Sequence, residues 1–405
     1  MGGAAHLSRT RMPAALVLLA LTLWLAFFAA PLPGLAAEPG AAAGDAIVRE
    51  QASQLDTTQI ENYWNKLMKQ YGGYFPEIRV PSLMELLAGG QRLQLDHILK
   101  GLLRYLFHEI IVSGKLLGSI MVLTVFSILL ETLQSSFERN TVSKIAYAIS
   151  FMVLVIIAVN SFSVAIGYAK TAIADMIQFM LAIVPLLLTL LASTGGVASV
   201  TILHPMIVFM VHTVGTAIYL IVFPLLFFSA VLHMVSSITD KYKVTQLADL
   251  LRNVSIGALG AFVTVFLGVI SVQSTSGAIA DGVAVRTAKY VTSTFVPVVG
   301  RMFSDASETV IGASMLVKNA VGLVGVVIIL LLCAFPALKI ITLALIYNVS
   351  GAMLQPLGNS PMIKCLQTIG KSLIAVFAAL AVVGLMFFLA ITMMITAGNM
   401  TLLAR

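Results

Sequence analysis

The sequence predicts an all-α, polytopic helical membrane protein, and three observations carry that expectation. Of 405 residues, 59% are hydrophobic and only 10% are charged, whereas soluble domains carry about 25% charged residues. Apolar runs of about 20 residues recur, the length at which a helix spans a hydrocarbon core. The runs are continuous rather than short and alternating. That selects helices over a closed barrel, the other architecture whose backbone is satisfied in lipid.

In chain order, residues 1–37 read as a signal peptide. Arg9 and Arg11 form its basic start, Ala14 to Ala30 its apolar stretch, and the small residues around Ala36 and Ala37 its cleavage region. Removing those two arginines lowers the formal net charge from +7 to +5. An excess spread over a membrane protein acts as an orientation signal. No basic-aromatic stripe suggests nucleic acid as a partner.

Residues 38–109 form an extracytoplasmic helical region. Thr58-Gln59-Ile60-Glu61 is a capping-box signature, as is Ser82-Leu83-Met84-Glu85. Ile60, Tyr63, Trp64, Leu67 and Tyr71 share one helical face, and Gly72-Gly73 stops that helix. Asp96 to His108 is amphipathic and feeds into the bilayer.

Transmembrane helices are expected over 110–275 and 321–405, about 7–8 in all. The candidate runs are Ile110 to Leu133, Ile145 to Tyr168, Met176 to Ala192, Thr201 to Val235, Val254 to Ser274, Val321 to Tyr347 and Ser372 to Ala397. Thr201 to Val235 is too long for one straight span and short for two, with Gly215 and Pro224 as candidate breaks. Placing Lys241, Lys243 and Arg252 on the same side as Arg139 and Lys144 favours a broken pair. Pro336 and Lys339 offer a break in the run before Tyr347.

Between the spans, residues 276–320 read as an amphipathic or re-entrant hairpin, punctuated by polar residues. Asp281, Arg286, Lys289, Thr292 and Ser293 fall toward one face of its first arm. Pro297 and Gly300 make the turn, and Ser304, Asp305 and Glu308 open a second helix with Lys318 near its end. Asp281, Arg286, Lys289, Arg301, Asp305 and Glu308 are therefore the candidate pore-lining or partner-docking residues. Such charges are cheap at the interface and cost several kcal/mol at mid-bilayer. An interfacial hairpin whose charges face headgroups is the plainer alternative.

Catalytic signatures are lacking. There is no His-Glu-x-x-His, Gly-x-Ser-x-Gly or Walker A pattern, so the expectation is no enzyme, no cofactor and no metal. His204 and His212 lie two turns apart, but a metal needs more convergent ligands. Cys333 and Cys365 are too few for a disulfide framework.

Three polar-punctuated motifs stand out: Tyr71-Gly72-Gly73-Tyr74-Phe75-Pro76-Glu77, Asp240-Lys241-Tyr242-Lys243-Val244-Thr245-Gln246-Leu247 and Gly268-Val269-Ile270-Ser271-Val272-Gln273. With them go Asp281-Gly282-Val283 with Arg286-Thr287-Ala288-Lys289, Pro297-Val298-Val299-Gly300-Arg301-Met302-Phe303-Ser304-Asp305, and Leu354-Gln355-Pro356-Leu357-Gly358. On these motifs the chain resembles the stage III sporulation protein AE family of endospore-forming bacteria. The resemblance implies a multi-pass protein of the mother-cell membrane around the forespore. It also implies membership of a secretion-like channel complex needed for spore development, with the lipid bilayer and other channel subunits as partners. It supplies no catalytic or ligand residues. The rival expectations are a stand-alone small-solute permease, and a scaffold recruiting other subunits through Trp64 and Tyr71.

Overall fold

A computed structural model describes residues 57–75, 95–136, 141–238, 244–295, 299–358 and 360–403. The signal peptide, the second capping box and Asp240 lie outside them. The order is α1 (Thr58–Tyr71), α2 (Leu95–Ser136), α3 (Thr141–Ser193), α4 (Val197–Ala217), α5 (Phe223–Ile238), α6 (Thr245–Phe295), α7 (Val299–Leu354) and α8 (Pro361–Leu403). Short 3-10 turns follow α1 and α7, and the described residues contain no strand. The all-helical class is as expected.

Among the described residues, six helices are long and apolar enough to cross a membrane: His97–Leu130, Ile145–Ser193, Val197–Ser237, Thr245–Ala284, Val310–Leu357 and Pro361–Ala397. The count differs from the seven or eight expected because predicted breaks are not made. Ile145–Tyr168 and Met176–Ala192 are one helix, α3. The segment between them holds neither glycine nor proline, and its charges find partners within the protein. The Lys170 ammonium lies 4.6 Å from the Tyr219 ring centroid, and Asp175 pairs with Lys66.

Nor is the Thr201–Val235 run broken in two. Gly215 continues α4 because a close approach of Ile177 fits there, and a π-helical turn, Ile218–Val222, leads into α5 ahead of Pro224. Proline lacks an N–H and crowds the carbonyl four residues back. The wider turn relieves that crowding and keeps one rod. Pro336 likewise sits inside a continuous α7, with Lys339 set over the Tyr168 ring at 4.8 Å. Lys318 is consequently mid-helix, a correction to its expected place near a helix end.

α7 and α8 run antiparallel and form the centre. Lys318 meets Ile395 at one end, Cys333 meets Leu380 midway, and Asn348 abuts Gly370 at the other. α3 runs antiparallel to α7, with Ile183 against Gly325 and Ser161 bonded to Tyr347. α2 covers α3 and α7 on one flank, while α4, α5 and α6 pack together on the other. The junctions α2–α3, α5–α6 and α7–α8 fall at one end of the bundle. The α3–α4 turn and the α6–α7 junction fall at the opposite end.

Candidate functional site

That opposite end is built around a helix start that cannot cap itself. Gly196 is the N-cap of α4 and has no side chain to offer, yet the first amides of a helix have no intrahelical acceptor. Asp281, on α6, supplies the acceptor from 82 residues away. Its carboxylate takes the Ala198 N–H at 2.8 Å and the Ser199 N–H at 3.1 Å. The negative charge also meets the positive end of the α4 dipole. Asp281 is 1% exposed, so the pair is shielded from screening by salt.

Gly277, one turn earlier on α6, makes the approach possible. A Cβ there would sit 2.9 Å from the Ser199 Cα, a contact with backbone that cannot swing away. Asp281 thus faces inward, whereas Arg286 is exposed on the same helix. The structure turns these two predicted neighbours to different sides. The backbones of Lys289, Arg301, Asp305 and Glu308 are helical, on α6 and α7; their side chains lie outside the described residues. Lys318 lies toward this end of α7. It is 1% exposed, and its Nζ donates to the Ile395 carbonyl at 3.0 Å. Sequence reasoning passed over it because its helix was taken to end there.

A second polar zone lies halfway along the bundle, where α1 docks. The predicted aromatic face is the docked one: Ile60, Trp64, Leu67 and Tyr71 are buried. The Tyr71 ring stacks on Phe335 at 3.7 Å, Tyr105 meets Phe335 edge-on, and Tyr63 meets Phe179 edge-on. Lys66 pairs with Asp175 at 2.9 Å, and the Tyr63 hydroxyl donates to Gln178 at 3.5 Å. Burial pushes the Tyr71 hydroxyl up to about 12, with the Asp175 carboxylate adding to the shift. Burial raises Tyr63 as well. The cap of α1 differs by one position from the sequence reading. Thr57, not Thr58, is the N-cap, and its hydroxyl donates to Glu61 Oε1 at 3.0 Å.

His204 and His212 lie on the exposed face of α4, and His233 is 3.3 Å from Asp249. Among the described residues no three His, Cys, Asp or Glu side chains converge as a metal site would require. Cys333 and Cys365 are both buried and free.

The family model described as "Stage III sporulation protein AE" matches residues 78–398, a stretch that holds Asp281, Lys318 and the residues on which α1 docks, while α1 itself precedes it. The chain belongs to the stage III sporulation protein AE family. It is 52% identical over 368 residues to the stage III sporulation protein AE of Bacillus subtilis (strain 168), covering 91% of this chain and 92% of that protein. No solved structure matches it. Membership of this family implies a role in sporulation, and the six long apolar helices imply multi-pass residence in a membrane.

Proposed function

We propose that this member of the family is a non-enzymatic membrane subunit of a secretion-like channel complex joining mother cell and forespore, and that spore development requires it. The observation that carries the reading is the 52% identity sustained over 91% of the chain. The charge distribution supplies an orientation. The α2–α3, α5–α6 and α7–α8 junctions are flanked in sequence by Arg139, Lys144, Lys241, Lys243 and Lys364, which supports a cytoplasmic position for that end. The end built on Asp281 then faces away from the cytoplasm, where the neighbouring cell's membrane lies.

On this reading the α6–α7 hairpin is the docking element for other subunits. Arg286 and Lys289 act as its cationic contacts, with Arg301, Asp305 and Glu308 on the second arm. Asp281 acts inwardly instead, tying the first arm to α4. A scaffold acting through Trp64 and Tyr71 is less favoured, because the protein's own bundle buries both.

Deleting the gene in its native host should collapse the yield of heat-resistant spores, and the intact gene should restore it. Normal spores would refute the reading. Arg286→Glu with Lys289→Glu should lower spore yield while leaving protein abundance unchanged. Solute transport by the purified protein alone in liposomes would favour a permease instead.

A further inference from the structure

α6 shows an unusual outward face for a helix of this length. Gly260, Thr264, Gly268, Ser271 and Thr275 recur at helical spacing along it, and all are exposed. A Cβ placed on Gly260 or Gly268 would meet nothing within 4 Å, so these glycines serve no contact inside the chain. Both threonine hydroxyls are already satisfied: Thr264 donates to the Gly260 carbonyl at 2.8 Å and Thr275 to the Ser271 carbonyl at 3.0 Å. The result is a shallow furrow, more than 20 Å long at about 1.5 Å per residue, in which the threonines need no water.

Beside the furrow stands a ridge. α4 packs antiparallel against α6, with Ser199 opposite Gly277 and Ser255 donating to the Val222 carbonyl at 2.9 Å. The exposed flank of α4 nearest α6 carries Ile202 and Phe209, which are 39% and 59% exposed. Ten residues along each helix from the Ser199–Gly277 contact, Phe209 comes level with Leu267 and Gly268. The largest exposed side chain on that flank of α4 thus stands at the height of Gly268, one of the glycines of α6 at which a Cβ would touch nothing.

We propose that α4 and α6 form a homodimer interface, two copies being related by a two-fold axis parallel to the bundle. Such an axis preserves height and exchanges left for right. The α4 ridge of each copy then faces the α6 furrow of the other, and Phe209 of one enters at Gly268 of its partner. Copies inserted in one membrane with the same orientation can be related by this axis. Small residues let helix backbones approach closely enough for dispersion to hold them together, the interaction that binds helices in lipid. Two helices about 30 Å long present a combined face of roughly 600 Å² per copy, or 1,200 Å² in total, at the lower bound for a stable interface. Flexible lipid tails fill a furrow floored by glycine less completely than a rigid phenyl ring does.

The test uses the full-length protein in membranes. Phe209→Cys and Gly268→Cys chains carrying different tags are co-expressed and oxidised. The native cysteines are buried and do not compete. A mixed-tag disulfide is expected. It should be absent when Val112→Cys, on the opposite flank, replaces Gly268→Cys. Gly268→Leu, whose side chain enters open space in the monomer, should lower energy transfer between labelled copies in dilute vesicles at least tenfold without loss of thermal stability. No mixed disulfide, equal yield with Val112→Cys, or a monomer at every protein-to-lipid ratio would overturn the proposal and assign the face to lipid or another protein.

Discussion

Asp281 does at one position what a capping residue ordinarily does from the adjoining turn. Replacing a good N-cap acceptor with alanine costs about 1–2 kcal/mol, and burial of the orphaned amides puts this site at the upper end. Asp281→Ala should therefore lower the thermal midpoint of the detergent-solubilised protein. Asp281→Asn, which keeps an acceptor and loses the charge, should lower it less. Equal midpoints for all three proteins would show that the cap contributes nothing. Tyr71 gives a second prediction, in pH. Its folded value, about 12, lies above the unfolded value near 10. The neutral hydroxyl is thus the form the folded state favours. Its contribution is complete below pH 10 and is lost as pH rises toward 12. Limited proteolysis of α1 should accelerate over that window in the native protein and less steeply in Tyr71→Phe, where the Tyr63 hydroxyl, also raised by burial, still titrates. The sequence exposes Asp281 as a charge amid apolar residues, but nothing local names α4 as its partner. Arg286, five residues on, has the same sequence signature and the opposite exposure.

At the scale of elements, α1 shows which contacts hold a helix in place. The Lys66–Asp175 pair is 55% exposed on the lysine side, and exposed pairs contribute about 0–1 kcal/mol. Truncating a buried aromatic costs about 3–5 kcal/mol. Trp64→Ala should accordingly release α1, read as fast amide exchange across Thr58–Tyr71, while Lys66→Ala should leave exchange nearly unchanged. Comparable effects from both would invert this ranking. The apolar face of α1 is legible because Ile60, Trp64, Leu67 and Tyr71 recur at helical spacing. Its destination is not, because Asp175 and Phe335 belong to helices formed much later in the chain. The α3 reading fails for a related reason. Lys170 and Asp175 look like loop residues until the ring of Tyr219 and the amine of Lys66 are placed beside them.

For the whole molecule, the continuity of α3 and of the α4–α5 rod decides the topology. Under the proposed orientation, with the start of α2 on the outer side, six spans put the Thr194–Gly196 turn on the outside, whereas eight put it in the cytoplasm. Because Ala198 and Ser199 bond Asp281, that turn must share a side with the end of α6, which six spans allow. A thiol at Thr194→Cys should react with an impermeant reagent applied from outside. Protection from outside with reaction in inverted vesicles would restore the eight-span order. The described spans are 34 to 49 residues long, about 51–74 Å as helix against a hydrocarbon core of about 30 Å. Tilt alone does not absorb the difference, so parts of these apolar rods project beyond the acyl chains or locally thicken the bilayer.

The docking of Tyr71 on Phe335 also sets a clock. Ribosomes add about 5–20 residues per second, and 264 residues separate the two rings (335 − 71). Translation alone therefore keeps the aromatic face of α1 waiting roughly 13–53 s for its seat. Through that interval the face must rest on the membrane surface or on a helper protein. Nascent chains stalled before residue 335 should thus show α1 open to protease, and chains released after it should not.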